Sequence, residues 1–249
     1  MAEDETSAPV PGPPDAQAGG EPEAPSLDGE VTVRDAAGVP TQRSEYRQGV
    51  LHGDTVFFYP DGSVMQRCRF VAGRLTGDVR LYDEQGALAQ SAQYLDDQPN
   101  GESLGYQNGV LRTRRFFRRG KLHGLMTVYG ENGAKLAEYP YEDGEISGEV
   151  RVFGPDGKPV QRIAYRAGKP SGDWLDFYPS GALLAKTPYK DGQRHGERLG
   201  FHENGQVRER AEYRQGKLVG PVREYDAKGR LAKEDGKPPR GFLDRLLGG

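Results

Sequence analysis

The stretch Tyr46–Val64, YRQGVLHGDTVFFYPDGSV, places a short apolar run between two glycine-containing turn signals. Gly49 follows Arg-Gln and Gly62 follows Pro-Asp, and both contexts suit a tight turn whose last residue takes a positive φ. The run between them is rich in Val and Phe, which are typical of β-strands. The stretch therefore predicts a strand between two turns. Its histidine, His52, is either a functional group or an occupant of a structural position.

The same pattern recurs along the chain, which changes what each residue means. Counting an aromatic residue as position 0, glycine follows at position 7 and a second aromatic at position 12 in all eight copies. Successive copies are 24 residues apart, except for one interval of 23. Each copy contains two turns and two strands, so each is predicted to be one β-hairpin. The copies begin at Tyr46, Phe70, Tyr94, Phe117, Tyr141, Tyr165, Tyr189 and Tyr213.

The glycine at position 7 lies inside a predicted strand, where glycine is normally unfavourable. We expect an aromatic ring from a neighbouring hairpin to cover it. Position 3 is also glycine, except that the third copy has Asp97. Asp tolerates the left-handed conformation better than most residues, so a turn is still expected there.

The predicted fold class is all-β, an elongated antiparallel meander of eight tandem 24-residue hairpins with a disordered N-terminal tail. About seventeen strands at ~4.8 Å each would give a rod near 80 Å long. The expected organisation is a tail over 1–30, a half repeat over 31–45, the array over 46–235, and a C-terminal linker and amphipathic segment over 236–249.

Composition and charge agree with a thin core and a separate tail. Only 35% of the 249 residues are hydrophobic, so one thick core is not expected. Residues 1–30 contain eight acidic and no basic residues and no apolar run, which predicts a disordered tail and no secretory signal. The single cysteine, Cys68, excludes a disulfide framework. We therefore expect a cytoplasmic protein, and the mild positive charge of the remainder is too weak to indicate nucleic acid.

The spacing Tyr-x-x-Gly-x-x-x-Gly-x-x-x-x-Tyr-x-x-x-Gly over residues 46–229 resembles the MORN repeat. The form is similar to the variant found in bacterial proteins often labelled YwqK-family antitoxins. The resemblance implies an elongated antiparallel meander without catalytic residues that serves as a scaffold for proteins or lipids. The antitoxin label implies a role in neutralising a toxin.

The histidines of the array indicate structure rather than catalysis. His52, His123 and His195 all lie at position 6 of their repeats. A catalytic histidine needs a particular partner to orient it, and a repeating column supplies none. A shared metal site is the remote alternative, since the hairpins would hold the three apart. We expect no catalytic, metal or cofactor-binding residues, no small-molecule substrate, and no enzyme activity.

The third repeat departs from the pattern and is the candidate contact region. It has Asp97, a one-residue shortening before Gly109, and then the basic run RTRRFFRRGK over 112–121. Such a run suits an acidic protein surface, an anionic head group or RNA, or else is a solvated strand. Arg112 and Arg114 should face one way and Arg115 the other. The candidate partner-binding residues are Arg112, Arg114, Arg115, Arg118, Arg119 and Lys121.

The C-terminal stretch GFLDRLLGG, residues 241–249, spaces its apolar residues as one helical stripe. We expect it to cap the last hairpin, with docking to a partner as the alternative. The leading function is a non-catalytic scaffold for another protein, in particular a toxin that it neutralises. The alternative is a membrane-surface scaffold that holds anionic lipid through the basic strand of the third repeat, and nucleic acid is not the expected partner.

Overall fold

Residues 27–235 are described by the computed structural model of the chain, and all their regular structure is β. These residues form 23 strands and no α-helix, so they hold no helix that could cross a membrane. The strands are β1 (Gly29–Arg34), β2 (Pro40–Arg47), β3 (Val50–Phe58), β4 (Val64–Val71), β5 (Arg74–Leu75), β6 (Gly77–Tyr82), β7 (Leu88–Leu95), β8 (Gln98–Gln107), β9 (Val110–Arg118), β10 (Lys121–Leu122), β11 (Gly124–Tyr129), β12 (Lys135–Glu142), β13 (Glu145–Ile146), β14 (Gly148–Phe153), β15 (Pro159–Arg166), β16 (Lys169–Phe177), β17 (Leu183–Lys190), β18 (Gln193–Arg194), β19 (Gly196–Phe201), β20 (Val207–Arg214), β21 (Lys217–Leu218), β22 (Val222–Tyr225) and β23 (Leu231–Asp235).

The chain divides into two compact units, 1–121 and 122–249. In the described part of each unit, consecutive strands pair antiparallel and form a meander, as β2, β3 and β4 do in unit 1. In unit 2 the same arrangement runs through β15, β16 and β17. The predicted all-β hairpin meander is therefore confirmed.

Two kinds of turn alternate along the meander, and both need left-handed residues. The two-residue turn between β2 and β3 has φ of 52° at Gln48 and 76° at Gly49, which is the type I′ geometry that matches strand twist. The second kind is a loop from Tyr59 to Ser63, closed by the Tyr59 N–H to the Ser63 carbonyl at 2.8 Å. Asp97 takes φ 66°, as predicted, and its Oδ1 also accepts the Leu75 N–H at 2.8 Å.

The glycine at position 7 lies at a bulge rather than under an aromatic ring. Gly53 and Gly172 have φ of 117° and 114°. A Cβ at Gly53 would overlap the side chain of Glu45, and one at Gly172 would lie 3.0 Å from the Ala164 Cβ. The prediction that a ring covers this position is therefore wrong, because the left-handed backbone and an adjacent aliphatic or polar side chain demand glycine.

The bulge also explains the strand count. It interrupts the strand in five repeats and separates β5 from β6, β10 from β11, β13 from β14, β18 from β19, and β21 from β22. Counting each of those pairs once leaves eighteen strands, close to the expected seventeen.

The core of unit 1 lies on one face of its sheet. On β4, Gln66, Cys68 and Phe70 are buried while Arg67 and Arg69 between them are exposed, which is the alternation of a half-buried strand. The cluster combines rings with aliphatic side chains and consists of Phe57, Cys68, Phe70, Leu75, Val79, Ala92 and Tyr94. Unit 2 has a smaller cluster of Ala211, Tyr213 and Val222.

The array begins slightly earlier than the sequence indicated. β1 starts at Gly29, inside the predicted tail, and Gly29 pairs with Tyr46 as the glycines of later repeats pair with their aromatics. The Oδ1 atom of Asp28 accepts the Gln48 N–H at 2.7 Å. The remainder of the predicted tail and the C-terminal segment 236–249 lie outside the described residues.

Candidate functional site

The basic run lies on a hairpin whose turn differs from its counterparts. β8 and β9 are joined by the two-residue turn Asn108–Gly109, with φ of 52° and 76°, and Gln107 pairs with Val110. The corresponding turn in the first repeat is the longer loop Tyr59–Ser63. The one-residue shortening of the third repeat therefore converts a loop into a tight turn and extends both strands.

Arg114 lies on the exposed face of β9. Its Nε donates a hydrogen bond to Glu102 Oε1 at 2.6 Å, across the strand pair. Its guanidinium carbon lies 5.1 Å from the centre of the Phe116 ring. The side chain is exposed but held by an ion pair and a cation–π contact, so its charge is partly compensated.

Arg115 points to the other face and is buried. It is 5% exposed, it pairs with Ser103 across the strands, and its NH2 donates to Ser103 Oγ at 3.4 Å. Burial raises the pKa of Tyr94, and the charge of Arg115 opposes that rise. Arg114 and Arg115 face opposite sides of the sheet, as predicted. The prediction that Arg115 contacts a partner is wrong, because its side chain is buried.

Of the remaining cations, Arg118, Arg119 and Lys121 lie at the end of β9 and around the turn that follows, whereas Arg112 lies near the start of β9. Arg112 is half-buried, while Arg118, Arg119 and Lys121 are exposed. Arg119 takes φ 48°, and its N–H donates to Asn100 Oδ1 at 3.1 Å, which fixes the turn. The candidate contact residues that remain after Arg115 is excluded are Arg112, Arg114, Arg118, Arg119 and Lys121.

Position 6 of the repeat supplies a side chain that accepts a turn N–H. Asn100 does this for Arg119, and His52 Nδ1 accepts the Ala72 N–H at 3.4 Å. His123 Nδ1 accepts the Asp143 N–H at 3.5 Å in the same way. These long bonds support the structural interpretation of His52 and His123. Among residues 27–235, no group of three or more His, Cys, Asp or Glu side chains is arranged to hold a metal ion.

His202 links two repeats. Its Nε2 donates to the Tyr225 carbonyl at 2.9 Å, 23 residues away. The hydroxyls of Tyr59 and Tyr178 donate to the carbonyls of Tyr82 and Phe201 at the same separation. All three side chains lie at position 13 of their repeats, a position that holds Asp, Gln or Gly in the other five copies.

A ladder of ion pairs on the exposed sheet face was also missed. In unit 2, Arg162 NH2 lies 2.6 Å from Glu149 Oε2, and Lys186 Nζ lies 2.8 Å from Asp173 Oδ2. Hydrogen bonding from Arg162 lowers the pKa of Glu149. In the sequence, each pair has an acidic residue directly after the position-7 glycine. Its basic residue lies three residues before the aromatic residue that begins the next repeat.

Unit 2 carries a second ionic group on its less exposed face. Arg198 and Glu209 form an ion pair with side chains 16% and 12% exposed. Burial lowers the pKa of Arg198 and raises that of Asp176, whose Oδ1 accepts hydrogen bonds from Gln161 and Trp174. The Arg198–Glu209 ion pair and the Gln161–Asp176 hydrogen bond each join neighbouring strands on this less exposed face.

A shallow cleft lies on the charged face of unit 1. Its volume is about 370 Å³, and its lining includes Asp54, Arg67, Arg69, Asp78 and Arg80. Cys68 backs this cleft from the buried face, where burial raises the pKa of its thiol to about 12. A thiol with so high a pKa is protonated at neutral pH and is a poor nucleophile.

The solved structures that are similar to this chain include much larger toxin assemblies. A crystal structure of TcdB2-TccC3-TEV aligns with 88% of this chain at 13% identity and a TM-score of 0.21. A Photorhabdus luminescens Tc holotoxin pore with a TccC3 mutation aligns with 89% at 11% identity and a TM-score of 0.17. The chain spans 14% and 16% of the lengths of those two proteins.

No curated protein matches the chain. The family model described as MORN repeat variant matches residues 170–191 and 194–215, which include most of β16, half of β18, and all of β17, β19 and β20. The two matched segments coincide with two successive hairpin repeats of unit 2. The chain therefore contains the MORN repeat variant at residues 170–215.

Proposed function

We propose that this chain is a non-catalytic repeat scaffold that binds another protein in the cytoplasm, and that the partner is a toxin that it neutralises. The MORN repeat variant at 170–215 supports a scaffold for binding. The resemblance of the whole array to YwqK-family antitoxins supports the choice of partner. The observation that carries the proposed site is the group of exposed cations at the end of β9.

We favour this site because it belongs to the third repeat, which differs from the others in having Asp97 and a shortened turn. The shortened turn at Asn108–Gly109 extends β8 and β9. Arg118, Arg119 and Lys121 are exposed at the opposite end of β9 from this turn. Exposed guanidinium groups recognise carboxylates in bidentate geometry. Irregular positions on a rigid scaffold commonly make its contacts. An acidic patch is the complementary surface of the partner.

The test is a reversal of charge that avoids the buried arginine. In the full chain, Arg118→Glu, Arg119→Glu and Lys121→Glu together should abolish copurification with the protein encoded beside this gene and abolish protection from its toxicity. The matched control is Arg47→Glu with Arg67→Glu, since both residues are exposed in unit 1 and neither has an ion pair among the described residues. The control pair should leave capture intact.

Salt provides a second measurement. Capture through several exposed arginines should weaken as the Debye length falls below ~10 Å. Capture that resists both the reversals and salt would contradict the β9 site. Flotation of the full chain with phosphatidylserine vesicles, lost in the same triple variant, would instead identify an anionic lipid surface.

A further inference from the structure

β1 is the first strand of the meander, and within residues 27–235 one of its edges is open. In that part of the chain its pairing is with β2 alone. The N–H and C=O groups that point away from β2 form a template for another strand. Edge strands are commonly protected by lysine or proline, whereas β1, with the sequence GEVTVR, has neither and contains three consecutive β-branched residues. β1 is therefore suited to pairing with a further strand.

The two faces of β1 follow those of the strand beside it. Val31 lies opposite Ser44, which is buried, and Thr32 lies opposite Arg43, which is exposed. Val33 lies on the same face of β1 as Val31, and it is 47% exposed. The face that carries the core of unit 1 therefore reaches the edge of the sheet with an apolar side chain uncovered.

The charges on the other face of β1 are unevenly balanced. Glu30 lies directly opposite Glu45 on β2, and like charges so placed repel each other. The cation beside Glu30 is Arg43, at 3.8 Å. Arg34 lies on the same face as Glu30, since the extra residue at the register shift beside it belongs to β2. The Nη1 atom of Arg34 donates to the Gly38 carbonyl at 2.9 Å, which leaves its other N–H groups for an acceptor on another chain.

These side chains favour one register for the pairing of β1 with β1 of a second copy. A two-fold axis perpendicular to the sheet keeps the same face up in both copies and requires one residue to lie opposite its own copy. With Thr32 on the axis, Glu30 of each copy lies opposite Arg34 of the other. Val31 of each copy then lies opposite Val33 of the other. Opposite charges, threonines and β-branched residues are all favourable cross-strand pairs.

The other charges near this edge are satisfied locally. The Oδ1 atom of Asp28 accepts the Gln48 N–H at 2.7 Å, and that of Asp35 accepts two N–H groups of its own turn, at 2.9 and 2.8 Å. With Thr32 on the axis, Asp28 and Asp35 lie opposite Ala36 and Gly29, which are uncharged. No like charges therefore face each other across the pair of strands.

We propose that two copies of this chain associate through β1 in this register, with Thr32 on the two-fold axis. A second copy is the occupant that the edge selects, because β1 is complementary to itself. In the pair, each Glu30 gains Arg34 of the other copy, which offsets its repulsion by Glu45. The inference goes beyond the proposed toxin partner and does not depend on it.

The last described strand, β23 in unit 2, is not complementary to itself. Its sequence is LAKED, and an antiparallel pair of two copies centred on this strand would place Lys233 opposite Lys233. An interface made by the same edge of both copies closes on itself and does not propagate. Pairing through β1 therefore gives a dimer rather than a filament.

The test exchanges the charges of the pair in the full chain. Sedimentation velocity over a range of concentrations should show a reversible dimer. Glu30→Arg alone, or Arg34→Glu alone, places like charges opposite each other twice, so each should raise the dissociation constant of the dimer about tenfold or more. An equimolar mixture of the two variants should recover a dimer, because each chain supplies the charge that the other lacks. The control is Glu84→Arg, which changes an exposed residue in the loop between β6 and β7 and should leave the dimer unchanged.

Cross-linking provides a separate measurement of the register. In the Thr32→Cys variant the two new thiols face each other at the axis, with Cβ atoms about 5 Å apart, so a short bismaleimide should join the chains. Thr41→Cys is the control, because Thr41 is exposed on β2 and its copies lie at least three strand spacings apart, about 14 Å. The native Cys68 is 5% exposed and should not react.

Four results would overturn the proposal. A full chain that stays monomeric would show that β1 does not associate. A dimer that both single variants retain would use another surface. Long polymers in place of a dimer would indicate pairing between unlike edges. Failure of the mixed variants to associate would refute the register. Loss of partner capture in the β9 variants concerns the proposed function alone and leaves these results unaffected.

Discussion

The two units place different side chains at the same repeat positions. Nine residues after its start, the second repeat has Val79, which is fully buried in the apolar cluster of unit 1. The seventh repeat has Arg198 at that position in unit 2, paired with Glu209. The backbone pairing is nevertheless equivalent, because Val79 lies opposite Ala92 and Arg198 lies opposite Ala211.

This difference shows that apolar burial at each position does not set the register. The turns and the position-7 bulges recur in both units with left-handed glycines, and they fix which residues face each other. A sheet face can then accept either a valine or an arginine, provided that the charge is paired. The comparison leads to three tests, of which the first concerns the ion pair itself.

Removing one partner of the ion pair should have the largest effect. Glu209→Ala leaves Arg198 without its carboxylate on a largely buried face, which should cost about 3 kcal/mol of the free energy of unfolding. The double variant Arg198→Met with Glu209→Leu should cost much less, because it removes both charges. Urea denaturation of the three chains measures the difference. Equal losses for the single and double variants would show that packing, rather than pairing, matters at this site.

Position-7 glycines that have open space beside them should respond alike in both units. Gly77 and Gly220 have φ of 92° and 126°, and a Cβ at either would meet no atom within 4 Å. Replacement by alanine should therefore cost only the left-handed backbone strain, about 1–2 kcal/mol. Gly53→Ala should cost more, because its Cβ would overlap Glu45. A substitution at Gly77 or Gly220 without measurable cost would break the equivalence of the two units.

The smallest effect should come from the exposed ladder of unit 2. The folded-state pKa of Glu149 lies below its ordinary value, so its contribution to stability is present above that value and is lost as the pH falls through the folded-state pKa. Glu149→Gln should lower stability at pH 7 by less than about 1 kcal/mol and should reduce the further loss between pH 7 and pH 3. Thermal melts at both pH values measure this.

The control for the ladder is Glu145→Gln in the same unit, since Glu145 is exposed and is not part of the ladder. Its melting temperature should show the same pH dependence as that of the unaltered chain. Identical pH dependence in the Glu149 and Glu145 variants would contradict a stabilising role for the ladder.

Part of the candidate site could be predicted from the sequence. The alternation of a strand correctly separated Arg114 from Arg115, and the shortened third repeat correctly indicated an irregular hairpin. The sequence could not indicate that Arg115 would be buried, because alternation assigns residues to two faces without showing which face is covered. A reversal set that included Arg115 would therefore have confused loss of folding with loss of binding.

The sequence by itself determined the hairpins, because turns such as Gln48–Gly49 and the bulge at Gly53 depend on left-handed backbone, a local property that glycine supplies. It also determined the position of the histidine column. Only the tertiary structure decided which charges are neutralised. Arg198 is paired with Glu209 and Arg162 with Glu149, whereas Arg166 and Lys169 have no ion pair within residues 27–235. The difference lies in what the neighbouring strand places beside each side chain. Such pairing depends on distances between strands, which a repeat period alone does not supply.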